Sequence, residues 1–329
     1  MRSHAHTKMT PDALTLVLSN STDATADYLC DRLAQADVSY RRLDTDLQLD
    51  TLLVTMSDDD LSLVWDAERL RPNHVRAVVY RRPKPFAPPI HGDIFRRNHA
   101  SDEWAEAIEG FLAHVSAPRW INHPTSNFSA SHKIHQLTRA RDCGLATPEW
   151  MVTTVPAEAR RFLDAHERDI VAKPLASGYI ERDNPQDDTV IFTSAIEHIQ
   201  PEWLDNLPAC PVLFQRRVHK RVDVRVTALD QRAVAVALEA REPDGNQRID
   251  VRRDCMRDVS YAIVPIPEDV LQGIARLMAG YRLRFAAIDF AIDEDGHWMF
   301  FEVNPNGQWA WLDLVGAADI GQLFIDALR

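Results

Sequence analysis

The chain has no cysteine pair at metal-binding spacing, no long apolar run, no dinucleotide glycine signature and no excess of positive charge. Each absence removes a class of function. Cys30, Cys143, Cys210 and Cys255 lie far apart and form no C-x-x-C, which argues against a zinc site and a disulfide framework. Four packed thiols are expected. No stretch reaches the apolar length needed to cross a bilayer, and the opening MRSHAHTKMTPD lacks the apolar core of a secretory signal. The reading is a cytoplasmic protein with no membrane partner. A formal net charge of -12 repels phosphate backbones, so nucleic acid is not an expected partner, although local basic clusters can still hold a nucleotide. The absence of G-x-G-x-x-G sets a Rossmann dehydrogenase aside.

What is present is a globular composition. The 329 residues are 45% hydrophobic and 26% charged, enough for a sizeable core in two or three domains or one elaborate α/β unit. ALTLVL at 13–18 reads as a strand, followed by a helix through Ala26, Leu29, Cys30 and Leu33 and a second strand near Val38 to Arg42. VRAVVYRRP at 75–83 is another strand, and helical spacing returns from Trp104 to Val115. After the turn-rich RWINHPTSN comes a helix over Ser131 to Cys143, stopped by Gly144 and Pro148. A strand at Trp150 to Thr153, a helix near Ala157 to Ala165 and the strand and loop DIVAKPLASG follow. From about residue 211 the period becomes two, with PVLFQRRV, VDVRVTAL and AVAVALEA as successive strands. A helix at Leu271 to Tyr281, two strands around DEDG and a final helix complete the pattern.

The two strands around DEDG carry the clearest chemistry. If Asp295-Gly296 forms a two-residue hairpin turn, Glu294 pairs with His297 and Asp289 falls opposite Glu302. Alternation places Asp289 on one face with Glu302 and Asn304, and puts Met299, Phe301 and Val303 on the other. Two facing carboxylates repel unless a cation lies between them, and hard oxygen donors suit Mg²⁺. Asp289, Glu302 and Asn304 are the candidate metal ligands. A surface hairpin with solvated acids, or a register slipped by one residue, is the competing reading, and the apolar flanks weigh against it.

Three further stretches make the chain resemble the ATP-grasp superfamily: NFSASHKIHQL, DIVAKPLASG and FQRRVHKRVDVRV. INHPTSN, VDVRV, AAIDF and FEVNPNGQWAWL narrow the resemblance to the graspetide ligases, the microviridin-type macrocyclases, over nearly the whole chain from about residue 14. The resemblance implies a mixed α/β ATP-grasp fold: a flexible segment 1–12, an N-terminal βα domain at 13–120, a central domain at 121–210 and a C-terminal antiparallel-sheet domain at 211–329. The nucleotide is expected between the last two. It implies ATP and Mg²⁺ as cofactors, Lys173 on the α and β phosphates, Lys133 on the α-phosphate, and a covering loop with Ser177 and Gly178. Arg225 falls to the transferred phosphate, Asp223 to ribose hydroxyls, and Gln215 to Val218, including Arg217, to the adenine hinge. Arg216 stands where many members have an acid. Arg225, Lys173 and Lys133 are thus the expected catalytic groups.

VDVRV adds a reading of its own, since period two keeps Asp223 and Arg225 on one face, as a possible ion pair. His132, His219 and the basic segment 252–257 read as surface or lid contacts, with Arg252 a candidate for substrate contact. The activity implied is phosphorylation of Asp or Glu side chains of a precursor peptide and their ligation to Ser or Thr hydroxyls or Lys amines. The partner is that peptide with its leader, and a homodimer is expected. A carboxylate-amine ligase for a small acid or a protein tail is the alternative, and a nucleotide-binding module without chemistry the third.

Overall fold

The protein is described by a computed structural model that covers residues 14–329, except 48, 50, 66–67, 177, 181–188 and 199–200. The segment 1–12 and Ser177 therefore lie outside the described residues, as do the side chains of Pro201, Asp254 and Cys255. Strand β1 (Leu14–Ser19) is buried at every position, as a strand covered on both faces must be. Helix α1 (Ala24–Gln35) starts where the Asp23 carboxylate accepts the N–H groups of Thr25 and Ala26, and β2 (Tyr40–Asp44) pairs parallel to β1.

A three-stranded antiparallel sheet of β3 (Leu52–Met56), β4 (Leu61–Trp65) and β5 (Glu68–Leu70) follows, which the sequence reading did not foresee. These strands are short and half exposed, so their alternation is weak. Strand β6 (Val75–Tyr80) and β7 (Trp120–Ile121) complete the first sheet in the order β2-β1-β6-β7. Between them α2 (Ile94–Leu112) begins ten residues before the expected Trp104, because its first turns, with Ile94 and Phe95 at their start, are exposed and only Ile108, Phe111 and Leu112 are buried.

Helices α3 (Pro124–Ala130) and α4 (Lys133–Asp142) lead to β8 (Trp150–Thr153), α5 (Pro156–Ala165) and β9 (Ile170–Lys173). A small hairpin of β10 (Tyr179–Ile180) and β11 (Thr189–Val190) and then β12 (Ser194–Ala195) precede β13 (Val212–Arg216). The central sheet has the order β12-β9-β13-β8, so the strand expected to open the C-terminal sheet belongs to the central one. The third large sheet runs β16-β15-β14-β17-β18. Its strands are β14 (Lys220–Leu229), β15 (Arg232–Glu239), β16 (Ser260–Val264), β17 (Phe285–Asp293) and β18 (Trp298–Asn304), with α6 (Glu268–Tyr281) between β16 and β17.

One face of this sheet buries Val224, Val226, Ile288 and Phe290 against Leu137 and Ala140 of α4 and Ile274 and Leu277 of α6. The chain then turns through α7 (Ala310–Leu314) into α8 (Ile320–Leu328), whose Ile320, Phe324 and Leu328 pack with Leu29 and Leu33 of α1. Trp309, fully buried, stacks on Phe324 at 4.7 Å between centroids. The two ends of the chain thus share a core. Cys30 and Cys143 are packed as expected, but Cys210 is exposed at the end of a 3₁₀ segment. No helix among the described residues is long and apolar enough to cross a membrane.

Candidate active site

The β17–β18 hairpin does not turn at two residues. Asp293 N–H bonds to His297 carbonyl at 3.0 Å and Gly296 adopts φ +90°, which makes a three-residue loop with glycine in the left-handed position. Glu294 therefore does not pair with His297, and the register near the turn is one residue off the expected one: Ile292 faces Trp298 and Phe290 faces Phe300. A bulge at Phe301 then restores it, so that Asp289 faces Glu302 and Ala287 faces Asn304 as expected. The bulge also turns Phe301 toward the cleft, where alternation had placed it in the core; the fully buried core residue is Phe300.

Beyond β18 the chain makes a tight turn, with Gly307 N–H bonding to Asn304 carbonyl at 3.1 Å around Pro305 and Asn306. A Cβ on Gly307 would lie 2.4 Å from the Ala287 methyl, so only glycine lets the turn close on β17. Asn122, fully buried, donates to the Pro305 carbonyl at 2.9 Å, and Asn127 donates to Asn306 Oδ1 at 3.2 Å. This is what INHPTSN does. On the sheet edge, the buried Gln136 of α4 accepts from Val303 N–H at 3.0 Å and donates to Val303 carbonyl at 2.9 Å, standing in for a neighbouring strand. It docks α4 so that Lys133, one turn earlier, reaches Glu302 Oε2 at 3.6 Å and donates to Pro174 carbonyl at 2.9 Å.

The acids and cations interleave. Arg225 on β14 donates from Nε to Asp289 Oδ1 at 2.7 Å across the register, and from Nη1 to the Gln308 carbonyl at 3.3 Å. Asp223 does not pair with Arg225. Its oxygens accept from Lys220 at 2.6 and 2.8 Å and from Gln247 at 2.9 Å. Asn304 donates from Nδ2 to Glu302 Oε1 at 3.2 Å and to Asp289 Oδ2 at 3.5 Å. Burial, opposed by Arg225 and reinforced by Glu302, lifts the Asp289 carboxyl to about 6. Burial pushes Glu302 the same way, but Lys133, the Asn304 amide and Lys173 outweigh it and hold Glu302 below its ordinary value.

This donor set fits a hard divalent cation. Two facing carboxylates and one amide, whose oxygen turns inward by a half-rotation of the side chain, are the ligand types that Mg²⁺ takes together with phosphate oxygens. A second acidic group, Asp293, Asp295 and His297, lies at the hairpin tip with two of its members exposed.

Beside the acids lies a cavity of about 200 Å³ lined by Val171, Lys173, Gln215, Lys220, Gln247 and Phe301, with Arg216 to His219 along its rim. Lys173 Nζ sits 4.3 Å from the Phe301 ring centroid and has no hydrogen-bond partner among the described residues. Burial brings its ammonium down to about 8, with Glu302 pulling the other way and Lys220 and Lys133 adding to the fall. Gln215 lines the cavity, is 1% exposed, and its buried Nε2 has no partner among the described residues. Along the hinge, Arg216 and Arg217 N–H groups bond to Glu149 and Asp169 carbonyls, while Val218 N–H makes no bond among the described residues.

Neither a protein-family model nor a curated protein matches the sequence significantly. Solved structures do. The macrocyclase MdnC of Microcystis aeruginosa MRC, bound with precursor peptide MdnA, is 25% identical over 96% of this chain and 98% of that one, with a TM-score of 0.79. The chain has the ATP-grasp fold. A Chryseobacterium gregarium RiPP-associated ATP-grasp ligase, in complex with ADP and a leader and core peptide, is 24% identical over 96% and 97% of the chains, with a TM-score of 0.80. The ATP-grasp ligase PsnB, complexed with a phosphomimetic minimal precursor, Mg and ADP, is 20% identical over 96% and 98%, with a TM-score of 0.72.

Within this ATP-grasp frame, Lys133, Arg225, Asp289, Glu302 and Asn304 form one connected network, and Lys173, Gln215, Arg217 and Val218 line the adjoining cavity. Gly178 adjoins the cavity strand and packs with its Cα against Ile191, where a Cβ would lie 2.4 Å from the carbonyl oxygen. His132 caps α4 and meets Phe128 edge-on, and His219 pairs with Asp169 at 2.8 Å on the surface. Arg252 is fixed by Asp250 through bonds of 2.8 and 2.6 Å. Sequence reasoning missed Phe301 and Lys220 as cavity walls and Gln136 as the bracket of α4; only the bulge and the folded neighbours show them.

The depressed Lys173 gives a pH prediction. Its folded value lies below the unfolded one, so the ligand-free protein gains stability from this group as pH rises from about 8 to 10.5. A bound polyphosphate restores the proton. Titration calorimetry of MgADP at pH 8.5 in buffers of different ionisation enthalpy should show proton uptake, abolished in Lys173→Met; uptake that persists in the variant assigns it elsewhere.

Proposed function

We propose that the protein is an ATP-dependent ligase that closes rings in a ribosomally made precursor peptide. The observation that supports this most is the co-occurrence, in a fold shared end to end with a peptide macrocyclase, of the facing carboxylates Asp289 and Glu302 with Lys133, Lys173 and Arg225 around them. In this reading, the precursor's Asp or Glu carboxylate oxygen attacks the γ-phosphorus of ATP, the bond to the β-phosphate oxygen breaks, and ADP leaves. The acyl phosphate formed is attacked by a Ser or Thr hydroxyl or a Lys amine of the same peptide, which loses its proton as phosphate departs. An ω-ester or ω-amide ring results.

Lys133 and Lys173 hold phosphate oxygens as point charges, and Arg225 presents its planar fork to the transferring group. Asp289, Glu302 and Asn304 would hold Mg²⁺, which supplies charge neutralisation between the β and γ phosphates. The base enters the cavity against Gln215, Arg217 and Val218, with the Val218 N–H available to it. Asp223, braced by Lys220 and Gln247, keeps lone pairs for the ribose. Gly178 belongs to the loop that covers the phosphates. A three-part division, with β7 in the N-terminal unit and β13 in the central one, recognition of a leader by the central domain, a homodimer and a cytoplasmic setting belong to the same reading.

The test is ADP release in the presence of Mg²⁺ with three kinds of substrate: candidate precursor peptides carrying a leader and a core rich in Ser or Thr and Asp or Glu, free amino acids, and small carboxylic acids. Stimulation by the peptide alone is expected. Stimulation by small acids with amines and none by the peptide would replace the reading with the small-substrate ligase.

A further inference from the structure

Resting on that reading, we infer that Arg81, in the N-terminal unit, is a positioning residue that sets Arg225 through the 307–308 turn. Arg81 follows β6, is 3% exposed, and faces the fully buried Asp23 carboxylate with bonds of 3.0 and 3.3 Å. A buried ion pair that only tied β6 to α1 would be complete there. Arg81 instead spends its remaining donors on the turn: Nη1 donates to the Gly307 carbonyl at 3.3 Å and Nη2 to Gln308 Oε1 at 3.0 Å, an oxygen that also accepts from the Thr25 hydroxyl. The planar fork can do this because its donors point in fixed directions, toward Asp23 on one side and the turn on the other.

The same Gln308 then faces the phosphate site with its backbone. Its carbonyl accepts from Arg225 Nη1 at 3.3 Å and from Trp311 Nε1 at 3.2 Å. Arg225 is thus fixed at two points, Asp289 on one edge of its guanidinium and the Gln308 carbonyl on the other. Asp289 is also a candidate metal ligand, so it is shared; the Gln308 carbonyl is not. Arg81 holds the residue that carries this second point, more than 200 positions away in sequence. A lysine at 81 could neutralise Asp23 but could not reach Asp23, Gly307 and Gln308 together.

The experiment compares affinity for Mg-AMPPNP with that for MgADP by calorimetry in the wild type, Arg81→Met, Gln308→Met, Arg225→Met and the double variant Gln308→Met/Arg225→Met. Gln308→Met leaves the buried ion pair intact and guards against misfolding of Arg81→Met. The triphosphate preference is expected to fall about tenfold in each single variant, one lost coupling of ordinary size, and to fall no further in the double variant. An unchanged preference in Gln308→Met and Arg81→Met, with only lower melting temperatures, would make Arg81 a structural tie and overturn the inference. Additive losses would do the same, by separating the turn from Arg225. A wild type that binds neither nucleotide would instead refute the ligase reading, and the inference with it.

Discussion

Glu302→Gln and Asp289→Asn each lower turnover by about a thousandfold or more, yet shift the stability of the metal-free protein in opposite directions. The activity loss follows from removing one of two charged oxygen donors where phosphate and metal charge must be balanced. The stability difference follows from the unequal surroundings of the two acids. Sequence pairing alone treats them as equivalent repelling charges, so that removing either relieves strain. The structure separates them.

Glu302 lies near Lys133 and Lys173 and beside the Asn304 amide, and its carboxyl is held below its ordinary value despite burial. It contributes stability that is present above its unfolded value of 4.5 and lost as pH falls through the folded one. Glu302→Gln strands two cations and lowers the melting temperature at pH 7. Asp289 is lifted from 3.8 to about 6, so its ionisation costs stability as pH rises between those values, even with Arg225 beside it. Asp289→Asn removes that cost and raises the melting temperature at pH 7 by a few degrees, an effect that shrinks toward pH 4. Melting in EDTA at pH 7 and pH 4.5 checks this. Equal shifts of one sign in the two variants would show that the acids do not differ as described.

Gly307→Ala carries the second large effect. The added methyl would meet the Ala287 methyl at 2.4 Å and Asn304 Cβ at 3.3 Å, so the turn must lift off β17. Overpacking of this kind costs about 1–3 kcal/mol. The larger consequence is displacement: Asn304 lies at one end of the turn and the Gln308 carbonyl that holds Arg225 at the other. A shift of about 1 Å in groups that orient a transferring phosphate costs about a hundredfold in rate. Ala287→Gly makes room, so the double variant Ala287→Gly/Gly307→Ala should recover most of the turnover. Full activity in Gly307→Ala alone would mean that the turn's seat on β17 does not matter.

The facing acids of the hairpin were legible because strong local signals coincided: alternation, a turn glycine, and two acids on facing strands. Its register at Asp289 and Glu302 came out as expected through two departures that cancel, a turn one residue longer and a bulge one residue wide. Hairpin rules name the likely turn, but a bulge depends on what the strand packs against, and here it moves Phe301 into the cleft beneath Lys173. The two lysines and Arg225 were assigned by resemblance; no spacing along the chain marks a lysine for phosphate. Residues whose role is to join distant segments, Arg81 with Asp23, Gln136 with Val303, Asn122 with Pro305, leave no periodic trace, because their partners lie tens to hundreds of positions away. The β3–β5 sheet escaped for a different reason, since its strands are too short and too exposed for period two to stand out.

The most direct measurement is the intact mass of a candidate precursor peptide, with leader and core, after incubation with the protein, ATP and Mg²⁺. The account predicts loss of one water mass per ring, with one ADP released for each, and no change with Glu302→Gln. A peptide of unchanged mass, with ATP nonetheless turned over when free amino acids or small acids are supplied, would contradict it.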